Sequence, residues 1–122
     1  MFLYIDNTEP GEILLGSQRY YKKDAENGII FCLDKLLKKK KLKLSDIEGI
    51  AVVTGVGRFT SSRISATTAN TLAYALKIPV VSVEKGENIE KAVEKIKKAK
   101  VGTYVIPKYS GEANIGKPKQ KN

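Results

Sequence analysis

The run Ile50-Ala51-Val52-Val53-Thr54 carries no polar side chain before its last residue, and a strand without polar alternation fits only where both faces of a sheet are covered. That condition calls for helices on two sides and for parallel neighbours, because parallel strands need a crossover connection. Pro79-Val80-Val81-Ser82-Val83 reads as a second buried strand, and the segments around the two runs have helical spacing. Ile29, Ile30, Leu33, Leu36 and Leu37 recur at that spacing after Asp24, a suitable N-cap, and define a first helix. Residues 60–76 define a second helix lined by small side chains. Asn88 to Lys98 defines a third, with Ile89, Ala92, Val93 and Ile96 on one face.

Before the first helix, Phe2 to Asp6 is a short β-prone run ended by the breakers Asn7-Thr8-Glu9-Pro10-Gly11. Glu12 to Leu15 and Arg19 to Lys22 flank a hairpin-sized gap, so the chain opens as a three-stranded meander. Thr103 to Ile106 is a candidate last strand. The class is therefore α/β with a mixed sheet, in the order β-β-β-α-β-α-β-α. At 122 residues one core is expected, a single domain over 1–107. Residues 108–122, rich in breakers and Lys, are expected to be a basic flexible tail.

The net charge of +9 is uneven: −3 over residues 1–16, +6 over 17–43, zero over 44–84 and +6 over 85–122. The Lys38 to Lys41 run suits a helix C-terminus, which favours cations, and equally suits a nucleic-acid patch. Only Arg19, Arg58 and Arg63 stand beside 19 Lys, a ratio that argues against base-specific readout. The chain has no His, which removes the commonest general base and every Ser-His-Asp arrangement. One Cys, Cys32, excludes an intramolecular disulfide and a thiolate cluster, and its place in the apolar pattern reads as a buried structural thiol. The N-terminus lacks the marks of a signal peptide, and charged residues interrupt every apolar stretch short of about 18 residues. A cytoplasmic protein without a membrane span is expected.

Two places carry candidate chemistry. Gly55-Val56-Gly57-Arg58-Phe59-Thr60 joins a strand to a helix, where backbone N–H groups can meet an anion; the alternative is a tight turn in which Thr60 caps the helix. The spacing fits neither a Walker loop, having no Lys after the second glycine, nor the dinucleotide fingerprint, having Thr60 at its third glycine. Asp6 and Thr8, at the end of the first strand, offer a phosphate contact or a hydrated magnesium site, or else an Asx-type turn. Arg63 can pair with an anion or with Asp46 or Glu48. No metal site and no catalytic residue is assigned.

Leu44 to Ile64 resembles the central signature of the TsaB (YeaZ) family, partner proteins in making threonylcarbamoyladenosine in tRNA. Gly55, Gly57, Phe59, Thr60, Arg63 and Ile64 match in register, Lys77 to Val83 matches the strand after the helix, and Leu3 to Thr8 resembles the family's opening. The resemblance covers about residues 2 to 85. Val56, Arg58, Ser61 and Ser65 stand where the family has Pro, Ser, Gly and Gly. The family is close to twice as long, so the resemblance implies a chain shortened to the first actin-like (ASKHA, ribonuclease-H-like) half-domain.

The resemblance further implies a non-catalytic scaffold that binds a TsaD-like partner through its first two helices and supports threonylcarbamoyl transfer to adenine beside the anticodon. The interface would use Ile29, Ile30, Leu33 and Leu37 with Ser62, Ala66, Ala69 and Ala73. A TsaE-like ATPase is a further implied partner, a homodimer through the same faces is an option, and tRNA is the substrate of the complex. ATP or ADP would bind only at a partner interface, with no cofactor held by this chain alone. The alternative from the residues is a basic tRNA-binding accessory module without a stable TsaD-type partner.

Overall fold

The computed structural model describes residues 1–9, 11–16, 18–54 and 59–106, with residues 59–62 described as helix backbone only. Five strands, β1 (Phe2–Asp6), β2 (Glu12–Leu15), β3 (Gln18–Tyr21), β4 (Gly49–Val53) and β5 (Val80–Val83), form one sheet in the order β3-β2-β1-β4-β5. The β1-β2-β3 meander is antiparallel, while β1, β4 and β5 run parallel with Phe2 opposite Gly49 and Ile50 opposite Val80. All five residues of β4 are buried, as a strand covered on both faces requires.

Helices α1 (Lys22–Glu26), α2 (Ile29–Lys40), α3 (Phe59–Leu76) and α4 (Ile89–Lys98) supply the cover. Leu3, Ile5, Ile13, Leu15, Ile50 and Val52 pack under α2 and α3. Tyr4, Ala51, Val53 and Val83 on the opposite face meet Ala92 and Ile96 of α4. Each large apolar side chain buried this way contributes about 1.5–3 kcal/mol. α4 starts at Asn88, whose side chain accepts from the Glu90 N–H at 2.7 Å, a conventional N-cap.

The structure corrects the first helix. In place of one helix capped by Asp24 there are two, separated at Asn27-Gly28, because Gly28 takes φ +94° and α2 begins there without a side-chain cap. Cys32 is fully buried, its Sγ–H donating to the Asp24 carbonyl at 3.2 Å, and burial pushes the thiol up. Residues 103–106 form no strand. They are tied instead to α3 by the Asn70 amide, which donates to the Val105 carbonyl at 2.9 Å and accepts from the Val105 N–H at 3.0 Å. The tail at 108–122 lies outside the described residues.

α2 and α3 end alike. The Leu42 N–H reaches the Leu37 carbonyl at 2.8 Å and the Ile78 N–H reaches the Ala73 carbonyl at 3.1 Å, each across a lysine in left-handed backbone, Lys41 (φ 58°) and Lys77 (φ 57°). Leu42 and Ile78 then pack on the core, completing two Schellman caps in which lysine stands where glycine is usual. Lys41→Gly and Lys77→Gly are each expected to stabilise the protein by about 0.5–1 kcal/mol, read as a higher denaturant midpoint at unchanged slope. A lower midpoint in both would show that the lysine side chains contribute more than their backbone costs.

Candidate functional site

The carboxyl ends of β1, β4 and β5 lie side by side, the position where open α/β sheets place their ligands. β1 ends at Asp6, which is 8% exposed, and the chain turns so that the Thr8 N–H (2.9 Å) and hydroxyl (2.6 Å) both donate to Asp6 Oδ1. Lys85, just past β5, donates its Nζ to Asp6 Oδ2 at 3.0 Å and to Thr8 Oγ1 at 2.6 Å, and lies 3.4 Å from Glu9 Oε2. Beside it, Thr54 Oγ1 and Ser82 Oγ are 2.6 Å apart and join the ends of β4 and β5.

Burial alone would raise the Asp6 carboxyl, but the bonds from Thr8 and Lys85 outweigh it and hold the group below the usual carboxylate range. Burial likewise works to lower Lys85, and the Asp6 and Glu9 carboxylates more than reverse it. Burial, then the nearby Asp6 charge, push the Tyr4 phenol up. Asp6 and Thr8 thus form the Asx-type turn, and both carboxylate oxygens are engaged within the chain. A phosphate or hydrated cation would have to displace Lys85. Sequence reasoning missed Lys85, since nothing local to it points to a partner 79 residues away.

Gly55 and Gly57 of the motif loop lie outside the described residues, while Phe59 and Thr60 open α3. Arg63 is exposed on α3 and, with Ile64, Thr67 and Thr68, lines a surface cavity of about 340 Å³. Neither expected acid partner reaches it among the described residues: the Asp46 carboxylate accepts from the Lys43 N–H at 2.8 Å, and Glu48 pairs with the amino group of Met1.

Most of the expected interface is core. Ile29, Leu33 and Leu37 of α2 and Ala66, Ala69 and Ala73 of α3 are each at most 6% exposed, a correction with a simple cause. The apolar stripe of α2 and the small-residue stripe of α3 turn toward the sheet and each other, where small side chains let the elements approach. The Ser62 side chain lies outside the described residues. Ile30 is exposed at 55%, and the structure adds Phe31, Ile64 and Tyr74, at 40%, 48% and 73%, as apolar side chains facing outward from α2 and α3. The signal for the first two was the Ile29-Ile30-Phe31 triplet, wider than one core-facing stripe needs.

Residues 21–111 match the family model described as TsaD, tRNA N6-adenosine threonylcarbamoyltransferase. A tRNA N6-adenosine threonylcarbamoyltransferase from Geotalea daltonii is 44% identical over 55 residues, 45% of this chain and 16% of the relative. The tRNA threonylcarbamoyladenosine biosynthesis protein TsaB of Buchnera aphidicola is 34% identical over 62 residues, 51% of this chain and 28% of the relative. Among solved structures, YeaZ from Pseudomonas aeruginosa superimposes with a TM-score of 0.56 at 25% identity, over 68% of this chain and 44% of that one. A second structure, with similarity to peptidase YeaZ from the same organism, gives 0.53 at 26% identity over 68% and 42%. The chain thus spans less than half the length of each of these relatives.

Proposed function

The chain belongs to the family of TsaD, the tRNA N6-adenosine threonylcarbamoyltransferases, and from that premise we propose that it works in tRNA threonylcarbamoyladenosine biosynthesis as a TsaB-like, non-catalytic subunit. Its fold is the actin-like α/β half-domain of its YeaZ neighbours. In this reading α2 and α3 dock a TsaD-type protein, and the observation that carries it is the exposure of Ile30, Phe31, Ile64 and Tyr74 on those two helices. Aromatic side chains such as Phe31 and Tyr74 are enriched at protein interfaces relative to the rest of the surface. The lack of any His in the chain supports a supporting role. ATP or ADP, and a TsaE-like ATPase, would enter only through the assembled partner, and a second copy of the chain would compete for the same helices.

The test is light scattering after size exclusion on the chain alone and mixed with a TsaD-type protein. A one-to-one complex is expected, and Ile30→Asp should weaken it at least tenfold with an unchanged circular dichroism spectrum. Absence of a complex, or a complex indifferent to both Ile30→Asp and Tyr74→Asp, overturns the reading. Ala69→Glu is no test of the surface, because Ala69 is fully buried and a charge there unfolds the core.

A further inference from the structure

We propose that the groove between the β3 edge and α2 is a docking site for the phosphate backbone of RNA. β3 is an outer strand of the sheet, so one of its sides lacks a strand neighbour. Between it and α2 lies a cavity of about 410 Å³ lined by Arg19, Tyr20, Tyr21, Asp24, Lys35 and Lys39, with Gln18 at its end. The segment that builds β3, α1 and α2, residues 17–43, carries a net +6, as much as residues 85–122.

The acid lining the cavity and the acid beside Arg19 are already paired, while Glu26 of α1 is exposed with no cation partner among the described residues. Asp24 pairs with Lys35 at 3.0 Å and Glu12 with Arg19 at 3.2 Å. Lys39 donates to the Gln18 amide oxygen at 2.9 Å and, like exposed Lys22, Lys23 and Lys40, has no acid partner among the described residues. Helix-end electrostatics accounts for Lys38 to Lys40 in the last turn of α2 but not for Arg19, Lys22, Lys23 and Lys35. Arg19, Lys35 and Lys39 line the cavity itself, the two lysines one turn of α2 apart, about 6 Å at 1.5 Å per residue and room for one or two phosphates, while Lys22, Lys23 and Lys40 are exposed on the same segment. Tyr21, 52% exposed on the rim, gives a base a surface to stack on. The excess of lysine over arginine suits point-charge contacts to phosphate in place of base reading. The choice of RNA among polyanions rests on the tRNA-modification reading above.

The experiment is fluorescence anisotropy of a labelled, unmodified tRNA transcript with the full chain, at about 50 and 200 mM salt, chosen because phosphate binding is salt-dependent. Lys35→Gln/Lys39→Gln is expected to weaken binding at least tenfold and to lower the salt slope by about 2, one step per lost contact. Lys97→Gln/Lys98→Gln, the same loss of charge on exposed α4, should change affinity less than twofold. No binding by the wild-type chain at low salt, or equal losses in the two pairs, overturns the inference. Equal capture of the wild-type chain by phosphatidylcholine vesicles containing phosphatidylserine also overturns it, in favour of a lipid surface. Pairing with the TsaD-type protein is measured on the same samples: a complex without RNA binding removes only this inference, and RNA binding without a complex removes only the scaffold.

Discussion

Gly49→Ala is expected to destabilise the protein by about 3 kcal/mol, at the upper end for overpacking a filled core. Gly49 opens β4 on the face covered by α4, and an added methyl there would collide with Cγ2 of Ile96 and crowd the Phe2 ring at 3.3 Å. Ile96 is 3% exposed and cannot swing away, so α4 itself would have to lift from the sheet. Chemical denaturation of Gly49→Ala, Ile96→Ala and the double variant measures this directly. The double variant should be more stable than the sum of the two single losses by at least about 1 kcal/mol, since removing the Ile96 side chain makes room for the new methyl. A Gly49→Ala protein within about 0.5 kcal/mol of wild type would mean that α4 rides higher over β4 than described.

Lys85→Met is expected to cost about 1–2 kcal/mol at neutral pH. Orphaning a buried charge costs more when both partners are enclosed, but the Lys85 side chain is 36% exposed and water screens the pair. The pH dependence identifies the cause. Asp6 has a lowered pKa, so its contribution is present above the ordinary carboxylate pKa and is lost as the pH falls through the folded value. Lys85 has a raised pKa, so its contribution is present below the ordinary amine value and is lost as the pH rises through the folded one. The gap between wild type and Lys85→Met should therefore be flat from about pH 5 to 9 and narrow below about pH 4 and above about pH 10. A gap that stays unchanged both as the pH falls well below the ordinary carboxylate range and as it rises above the ordinary amine range would assign the effect to packing of the lysine stem.

The sheet was legible because its signals are local. The unbroken apolar run at Ile50 marked the centre, the Pro10-Gly11 and Gly16 breakers marked the meander, and strand bounds agree within a residue. The division at Asn27-Gly28 was obscured because Ile29 to Leu37 keeps helical spacing, and a glycine upstream of such a run does not disclose its φ. Residues 103–106 look like a strand in composition, yet the partner that accepted their backbone groups was a helix side chain, Asn70. The site was only half visible. Asp6 and Thr8 announced a turn, but Lys85 reaches them through parallel strand order, which no local pattern records. Core-facing and exposed apolar residues on α2 read alike in a helical pattern, and Ile29 and Ile30, adjacent in sequence, fall on opposite sides of that division.

The Asn70 clamp bears on how the molecule opens. Because the stretch through Val105 is fastened to α3 by a side-chain amide and joins no strand ladder, it can detach while the β1-β4-β5 hydrogen bonds stay closed. Its amide therefore exchanges with solvent through a small sub-global opening, whereas those of β4, buried along its whole length, exchange only when the domain as a whole unfolds.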